Sequence, residues 1–285
     1  MMGTLVAATC GLIGVFIILR RMALVGDAIS HSLLPGIVIS FLVAGTRATP
    51  TLFIGAIAIG ILTVLLIEYI HQNTLIKPDA AIGIVFTSLF AIGVILMTLF
   101  ADHVDLDLEC VLYGEIAFVP LEQPFLIGSL NLGPYPIIRM LATCLLVVIL
   151  LITFYKEMLI TAFDPALARC LGFHPKSFQY GLVVVLSLVI VSAFRSVGAI
   201  LVVAMLLFPG ANALLLSKNL KTVLILTLGL SFLYSIGGIH LATWLDASIA
   251  GSMTAVAVIC FIITILFTHC FHKKKIASKL HLSPT

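Results

Sequence analysis

Apolar residues recur along this chain in long, nearly unbroken runs. They do not follow the alternation of a strand or the narrow stripe of a surface helix. A helix needs about 20 apolar residues to cross about 30 Å of hydrocarbon, and runs of about that length repeat between short polar or Pro/Gly breaks. Nine stand out: Thr4 to Leu19, Leu24 to Ala44, Thr51 to Ile70, Ala80 to Phe100, Pro136 to Tyr155, Phe178 to Phe194, Val197 to Leu216, Thr222 to Ala242 and Ala250 to Phe271. The stretch from Phe178 to Leu216 also reads as one span plus a re-entrant piece, so the expected count is eight or nine. The first run has no small-residue cleavage site behind it and is followed by Arg20-Arg21, which marks a retained helix rather than a signal peptide. The expected fold is all-α, a polytopic transmembrane helical bundle in which residues 1–285 form a single transmembrane domain.

Composition agrees with that pattern. Hydrophobic residues make up 62% of the 285 and charged residues 9%, whereas a soluble domain carries about 25% charged residues. The net charge of +3 and the scattered basic residues leave no nucleic-acid footprint. Of six cysteines, Cys10, Cys144 and Cys260 lie inside apolar runs, and no CxxC or Cys-His spacing suggests a zinc site or disulfide framework. Cytoplasmic loops hold the excess of Lys and Arg. An N-terminus outside places 12 of the 15 inside, leaving Arg47, Arg139 and Arg195 outside, and it makes the C-terminus cytoplasmic.

Candidate chemistry is concentrated at a few polar positions. In RRMALVGDAISHSLLPG, from Arg20 to Gly36, Asp27 and His31 lie four residues apart, on one helix face. Measured from the Arg pair they are about 10 and 15 Å into the membrane, where ionisable side chains are costly and mark pathways or partners. A carboxylate and an imidazole so placed can grip a divalent cation; they can also serve as structural glue between helices. Pro35, Gly26 and Gly36 suit a helix that bends or approaches a neighbour closely. Glu68 and His71 form a second, weaker pair that reads mainly as snorkelling to the interface. His240 and Asp246, at the outer mouth before the last run, either touch an entering cation or are wet loop charges. The connection from Ala101 to Tyr135 carries half of the chain's acids and reads as a partner-docking or solvated loop. FDPALARCLGFHP, beginning at Phe163, has the signals of a short helix: Asp164 as N-cap, Pro165 in the first turn and Gly172 as the stop. No GxxxxGK[ST] phosphate loop is present, so any ATP chemistry belongs to another chain.

GDAISHSLLPG behind an Arg pair, FDPALARCLGF in an inner loop and VGAILVVAMLLFPGANALLL at Val197 to Leu216 occur together and in this order. With them the chain resembles the membrane permeases of bacterial manganese/zinc/iron ABC importers over nearly its whole length. VDLDLECVLYGEIAFVP looks most like the manganese branch. The resemblance implies a type II ABC importer-like permease in the bacterial cytoplasmic (inner) membrane. It implies a second permease chain in a homo- or heterodimer, two cytoplasmic ATP-binding subunits, and an extracellular or periplasmic metal-binding receptor. Asp27 and His31 would then coordinate Mn²⁺, or Zn²⁺ or Fe²⁺, in transit, with no permanently bound cofactor. The segment from Asp164 to Phe173, including Pro165, Ala166, Leu167, Ala168, Arg169 and Gly172, would be the coupling helix that fits a groove of the ATPase. After Asp246 the chain departs from the family pattern: Ala-Ser-Ile-Ala-Gly replaces a Pro-Ser-Gly run.

Paired Asp/His sites from two chains would surround an ion with two carboxylates and two imidazoles, a set that suits Mn²⁺, Fe²⁺ or Zn²⁺ and lacks the thiolates that favour Cu⁺. The expected function is therefore a permease subunit, not an enzyme, that imports a divalent metal ion. The main alternative is a proton-coupled secondary metal transporter, which would use the same pair as a proton relay and need no ATPase. An intramembrane metalloprotease lacks both HExxH and GxSxG.

Overall fold

A computed structural model describes residues 1–44, 49–100, 116, 119, 124–127 and 130–280, with the side chains at 49, 50, 124–127, 130–132, 195 and 270–280 set aside. The first apolar run forms α1 (Met2–Leu19), and it lies at the centre of the bundle. Val6, Ala7, Cys10, Val15, Phe16 and Ile17 have no exposed surface. A helix apolar all round has no solvent side and belongs among other helices. α1 ends in a Schellman turn, with Arg21 N–H donating to the Ile18 carbonyl at 2.9 Å and Met22 N–H to Ile17 at 3.0 Å. Arg21 takes φ 59° there, a left-handed conformation that costs a residue with a Cβ about 1–2 kcal/mol. The chain turns at once into α2 (Leu24–Ala44).

α2 packs against α3 (Thr49–Asn73) and α4 (Pro78–Phe100). The approach is close: a Cβ on Gly36 would lie 2.6 Å from the Gly55 carbonyl oxygen, and one on Gly93 2.7 Å from Pro35 Cδ. Small residues at such crossings let backbones meet where lipid tails provide no hydrophobic drive between helices. A buried hydrogen bond of 2.8 Å joins Ser32 Oγ and Thr63 Oγ1 across α2 and α3.

The described part of the acidic connection contains β1 (Pro124–Ile127) and β2 (Leu130–Pro134), an antiparallel hairpin with Ile127 opposite Leu130. The apolar-run pattern does not reveal it, because two strands of four and five residues carry too short an alternation. The acids Asp102, Asp105, Asp107, Glu109, Glu115 and Glu122, together with Arg47, lie outside the described residues.

The second half comprises α5 (Tyr135–Thr153), α6 (Tyr155–Phe163), α7 (Pro165–Cys170), α8 (Pro175–Leu216), α9 (Leu220–Leu245) and α10 (Ile249–Leu280). α8 is 42 residues long, about 63 Å if straight, twice the hydrocarbon thickness. It does not run straight. At Gly198 the backbone leaves helical geometry, with φ 77° and ψ 166°. The first arm starts with Gln179 beside Met22 and Glu68 and reaches Ser192 beside Arg139 and Thr143 of α5. The second arm comes back to place Leu206 against Gly14 of α1 and Gly26 near the start of α2. The stretch with two sequence readings is therefore two spans, Pro175–Phe194 and Ser196–Leu216, and nine described helices are long and apolar enough to cross a bilayer. Large apolar side chains such as Ile152, Ile225, Phe232 and Leu266 point outward, as expected where lipid is the solvent.

Candidate functional site

Two faces of α2 divide the work. Val25, Ala28, Ile29, Ser32 and Leu33 are buried in packing. Asp27 and His31, one turn apart on the other side, are not: His31 is 37% exposed and Asp27 44%, with His31 Nε2 3.4 Å from Asp27 Oδ1. Structural glue between helices would be enclosed by its partners; these side chains instead border a cavity of about 290 Å³. Its facing wall is the second arm of α8, through Ala199, Ile200, Val203, Ala204, Leu207 and Phe208. Those positions follow one another at intervals of one and three residues, the spacing of a single helical face. Behind His31 stand two rings of α4: Phe86 with its centroid 5.9 Å from the imidazole and Phe90 at 6.4 Å, nearly edge-on at 88°. Pro35, four residues after His31, has no N–H to bond the His31 carbonyl, which loosens the helix beside the pair.

Among the described residues no third His, Cys, Asp or Glu joins Asp27 and His31. One chain thus offers an oxygen and a nitrogen donor on one wall of an open cavity. The donors are hard and borderline, fitted to a first-row divalent ion rather than a soft monovalent one.

The other polar candidates lie elsewhere. Glu68 accepts from Gln72 Nε2 at 2.5 Å and Gln179 Nε2 at 3.5 Å, while His71 Nδ1 is 3.4 Å from the Ile76 carbonyl. This group fastens α3 to the first arm of α8 at the end of the bundle that holds Arg20. His240 and Asp246 are exposed at the far end of α9, and neither borders the Asp27 cavity. Asp246 caps that helix in the left-handed conformation, φ 49°, and Ala247 N–H donates to the Ala242 carbonyl at 3.1 Å.

α7 forms with the chemistry its sequence announces. Asp164 Oδ1 accepts from the N–H of Ala166 at 3.1 Å and of Leu167 at 3.0 Å, and Pro165 opens the first turn. Gly172 closes it at φ 84°, where Gly172 N–H donates to Arg169 and Phe173 N–H to Ala168, at 3.1 and 2.9 Å. Ala168 is fully buried beneath, whereas Leu167 and Leu171 are about half exposed. Six residues held by caps at both ends present an apolar tip at the Arg20 end. Arg20 itself donates to Thr161 Oγ1 at 2.8 Å, tying α1 to α6, and burial lowers its guanidinium pKa.

Phe86, Phe90 and the α8 wall escape the sequence reading. The one available signal was the helical spacing within VGAILVVAMLLFPGANALLL.

Comparison with known proteins gives the arrangement its context. The chain is 45% identical over 266 residues to the manganese transport system membrane protein MntD of Bacillus subtilis, covering 93% of this chain and 90% of that one. It is 41% identical to the zinc transport system membrane protein TroD of Treponema pallidum, covering 94% and 72%. Among solved structures, PsaBC from Streptococcus pneumoniae in complex with Fab superposes with a TM-score of 0.76 at 35% identity, covering 92% of this chain and 88% of that chain. The model of the ABC 3 transport family matches residues 1–268. A nine-span bundle with an Asp/His pair beside an open cavity and a capped helical tip at one end thus belongs to the ABC 3 transport family, as the membrane-spanning permease of an ABC transport system.

Proposed function

We propose that this permease moves a divalent transition metal ion, manganese first and zinc or iron next, into the cell, and that Asp27 and His31 hold the ion in transit. The observation that carries the proposal is the half-exposed pair bordering a cavity within the membrane span. The relatives support the ion class, being a manganese and a zinc transport protein by name.

An ion entering hydrocarbon must replace its hydration shell. One Asp/His pair supplies two ligands, and a second permease chain, identical or related, would bring its own pair to the open side of the cavity. Ile200 of the α8 wall, 58% exposed, suits burial against that chain. Carboxylate and imidazole suit Mn²⁺, Fe²⁺ or Zn²⁺. The metal is cargo, and no resident cofactor is needed.

The ATP-binding subunits would sit against the α7 tip, and a metal-binding receptor would deliver the ion at the opposite end. The Lys and Arg bias supports a cytoplasmic Arg20 end and C-terminus, in a bacterial cell membrane. ATP-driven closure of the partner subunits would push α7, and through α6 and α8 would shift the two walls of the cavity. The test is metal uptake in cells expressing the complete transporter with Asp27→Ala at matched membrane level. Uptake should be lost; a folded Asp27→Ala chain that imports at the normal rate contradicts the proposal.

A further inference from the structure

The two helices that flank α7 hold the same turn. On one side, Arg20 Nη2 donates to Thr161 Oγ1 at 2.8 Å, and Thr161 lies in the last turn of α6, just before the Asp164 cap of α7. Thr161 is 3% exposed, so the bond is sheltered from water. On the other side, Gln179 Nε2, near the start of α8, lies 3.4 Å from Met22 Sδ. Arg20 and Met22 both belong to the short link between α1 and α2.

That link is stiff. The N–H groups of Arg21 and Met22 close onto Ile18 and Ile17, and Val25 N–H donates to the Met22 carbonyl at 3.1 Å. Backbone hydrogen bonds therefore continue from the end of α1 into the first turn of α2, where Asp27 stands. At the other end of the route, Asp164 N–H donates to the Ile160 carbonyl at 2.9 Å and fastens the α7 cap to α6. From α7 to Asp27 by way of α6, each step is covalent chain or backbone hydrogen bond except one. The exception is the side-chain bond from Arg20 to Thr161.

Stability does not account for Arg20. Among the described residues no carboxylate pairs with its guanidinium, and its Nε is buried without a hydrogen-bond partner. A half-buried cation held in this way is costlier than an apolar side chain of similar volume. The C-terminus of α1 favours a positive charge, but a charge serving that purpose needs no hydroxyl on a second helix.

We propose that the α1–α2 turn receives the stroke of α7 and passes it to the metal-holding helix α2, with Arg20 as the positioning residue that joins the turn to α6; this rests on the reading that α7 meets the ATP-binding subunits and Asp27 the ion. A push on α7 moves the end of α6, Thr161 carries Arg20 with it, and the stiff turn tilts the start of α2, shifting Asp27 against the α8 wall. Met22 and Gln179 form a weaker second hold, since a thioether is a poor acceptor.

The test is the Mn²⁺ moved per ATP hydrolysed by the complete transporter, with its metal-binding receptor, in phospholipid vesicles. Thr161→Val removes the acceptor and keeps the shape of the side chain and every charge. It should hydrolyse ATP at the unaltered basal rate but move about tenfold less Mn²⁺ per ATP, the factor that one hydrogen bond to a charged group is worth. Thr161→Ser, which keeps the hydroxyl, should restore the ratio, and Arg20→Met combined with Thr161→Val should lose no more than Thr161→Val alone. If Thr161→Val does not assemble, deuterium uptake by the unaltered transporter decides: ATP binding should change exchange in residues 20–26 and 155–163 together. Normal coupling in Thr161→Val, no restoration by Thr161→Ser, a larger loss in the double variant, or a turn whose exchange ignores ATP would each overturn the proposal. Asp27→Ala, run alongside, separates the two claims. Normal Mn²⁺ transport by Asp27→Ala removes the underlying reading and this one with it, whereas loss in Asp27→Ala beside normal coupling in Thr161→Val overturns the role of the turn alone.

Discussion

Asp27 and His31 owe their positions to a division of one helix face from another. Ser30 and Ser32 turn their hydroxyls back on the carbonyls of Gly26 and Ala28, at 3.0 and 2.6 Å, and so leave no unpaired hydroxyl on the packing face. The ionisable pair is left to the cavity. His31 is steadied by the rings of Phe86 and Phe90, and contacts of this kind are worth about 1 kcal/mol each. Phe90→Ala should therefore weaken the concentration dependence of metal uptake by about fivefold while leaving the maximal rate close to normal. A maximal rate that collapses, or a half-saturating concentration that does not move, would show that the ring does not position the imidazole. Asp27 and His31 were legible in the sequence because an ionisable residue inside an apolar run contrasts with everything around it. Phe86, Phe90 and the α8 wall were not. In a water-soluble helix, the apolar face identifies itself against a polar one. In lipid both faces are apolar, and the residues that line a site look like those that meet the bilayer.

At the scale of elements, the legible features are those made by caps and breaks. Asp164, Pro165 and Gly172 announce α7, and each takes the predicted place because orphan backbone groups at helix ends need partners wherever the helix lies. Asp164→Ala removes a cap worth about 1 kcal/mol. It should reduce metal uptake and ATPase stimulation together without changing the permease level in membranes; full coupling in this variant would show that the tip does not depend on its cap. Gly198 is the opposite case. The sequence left the stretch around it as one span plus a re-entrant piece or two spans, because a single glycine in a long apolar run also serves ordinary close packing. Its φ of 77° and ψ of 166° belong to a region almost reserved for glycine, so Gly198→Ala should cost about 1–3 kcal/mol. Thermal unfolding of the detergent-solubilised transporter should shift downward, and an unchanged midpoint would contradict this backbone geometry. The β1–β2 hairpin was illegible for a different reason: its pairing is set by backbone hydrogen bonds between two short segments, not by a pattern long enough to read.

At the scale of the molecule, run length, composition and the order of three motifs identified the bundle and its family before any coordinate. They did not disclose how the bundle closes around its polar pair, because the partner wall lies some 170 residues away in the chain and comes back to α2 only after the turn at Gly198. The cavity is open on one side, and two ligands are too few for an ion stripped of water. A benzoylphenylalanine at Ile200 should cross-link to a second permease chain in intact membranes, doubling the apparent permease mass. Cross-linking to lipid alone would place the open side against the bilayer and leave the ion half coordinated.

The most direct test of the account is the manganese, iron and zinc content, by mass spectrometry, of cells that express the complete transporter with either the unaltered chain or His31→Ala at equal membrane levels. The account predicts that manganese rises with the unaltered chain and stays at background with His31→Ala. Equal accumulation by both would contradict it, since the imidazole at the cavity wall would then have no part in carrying the ion.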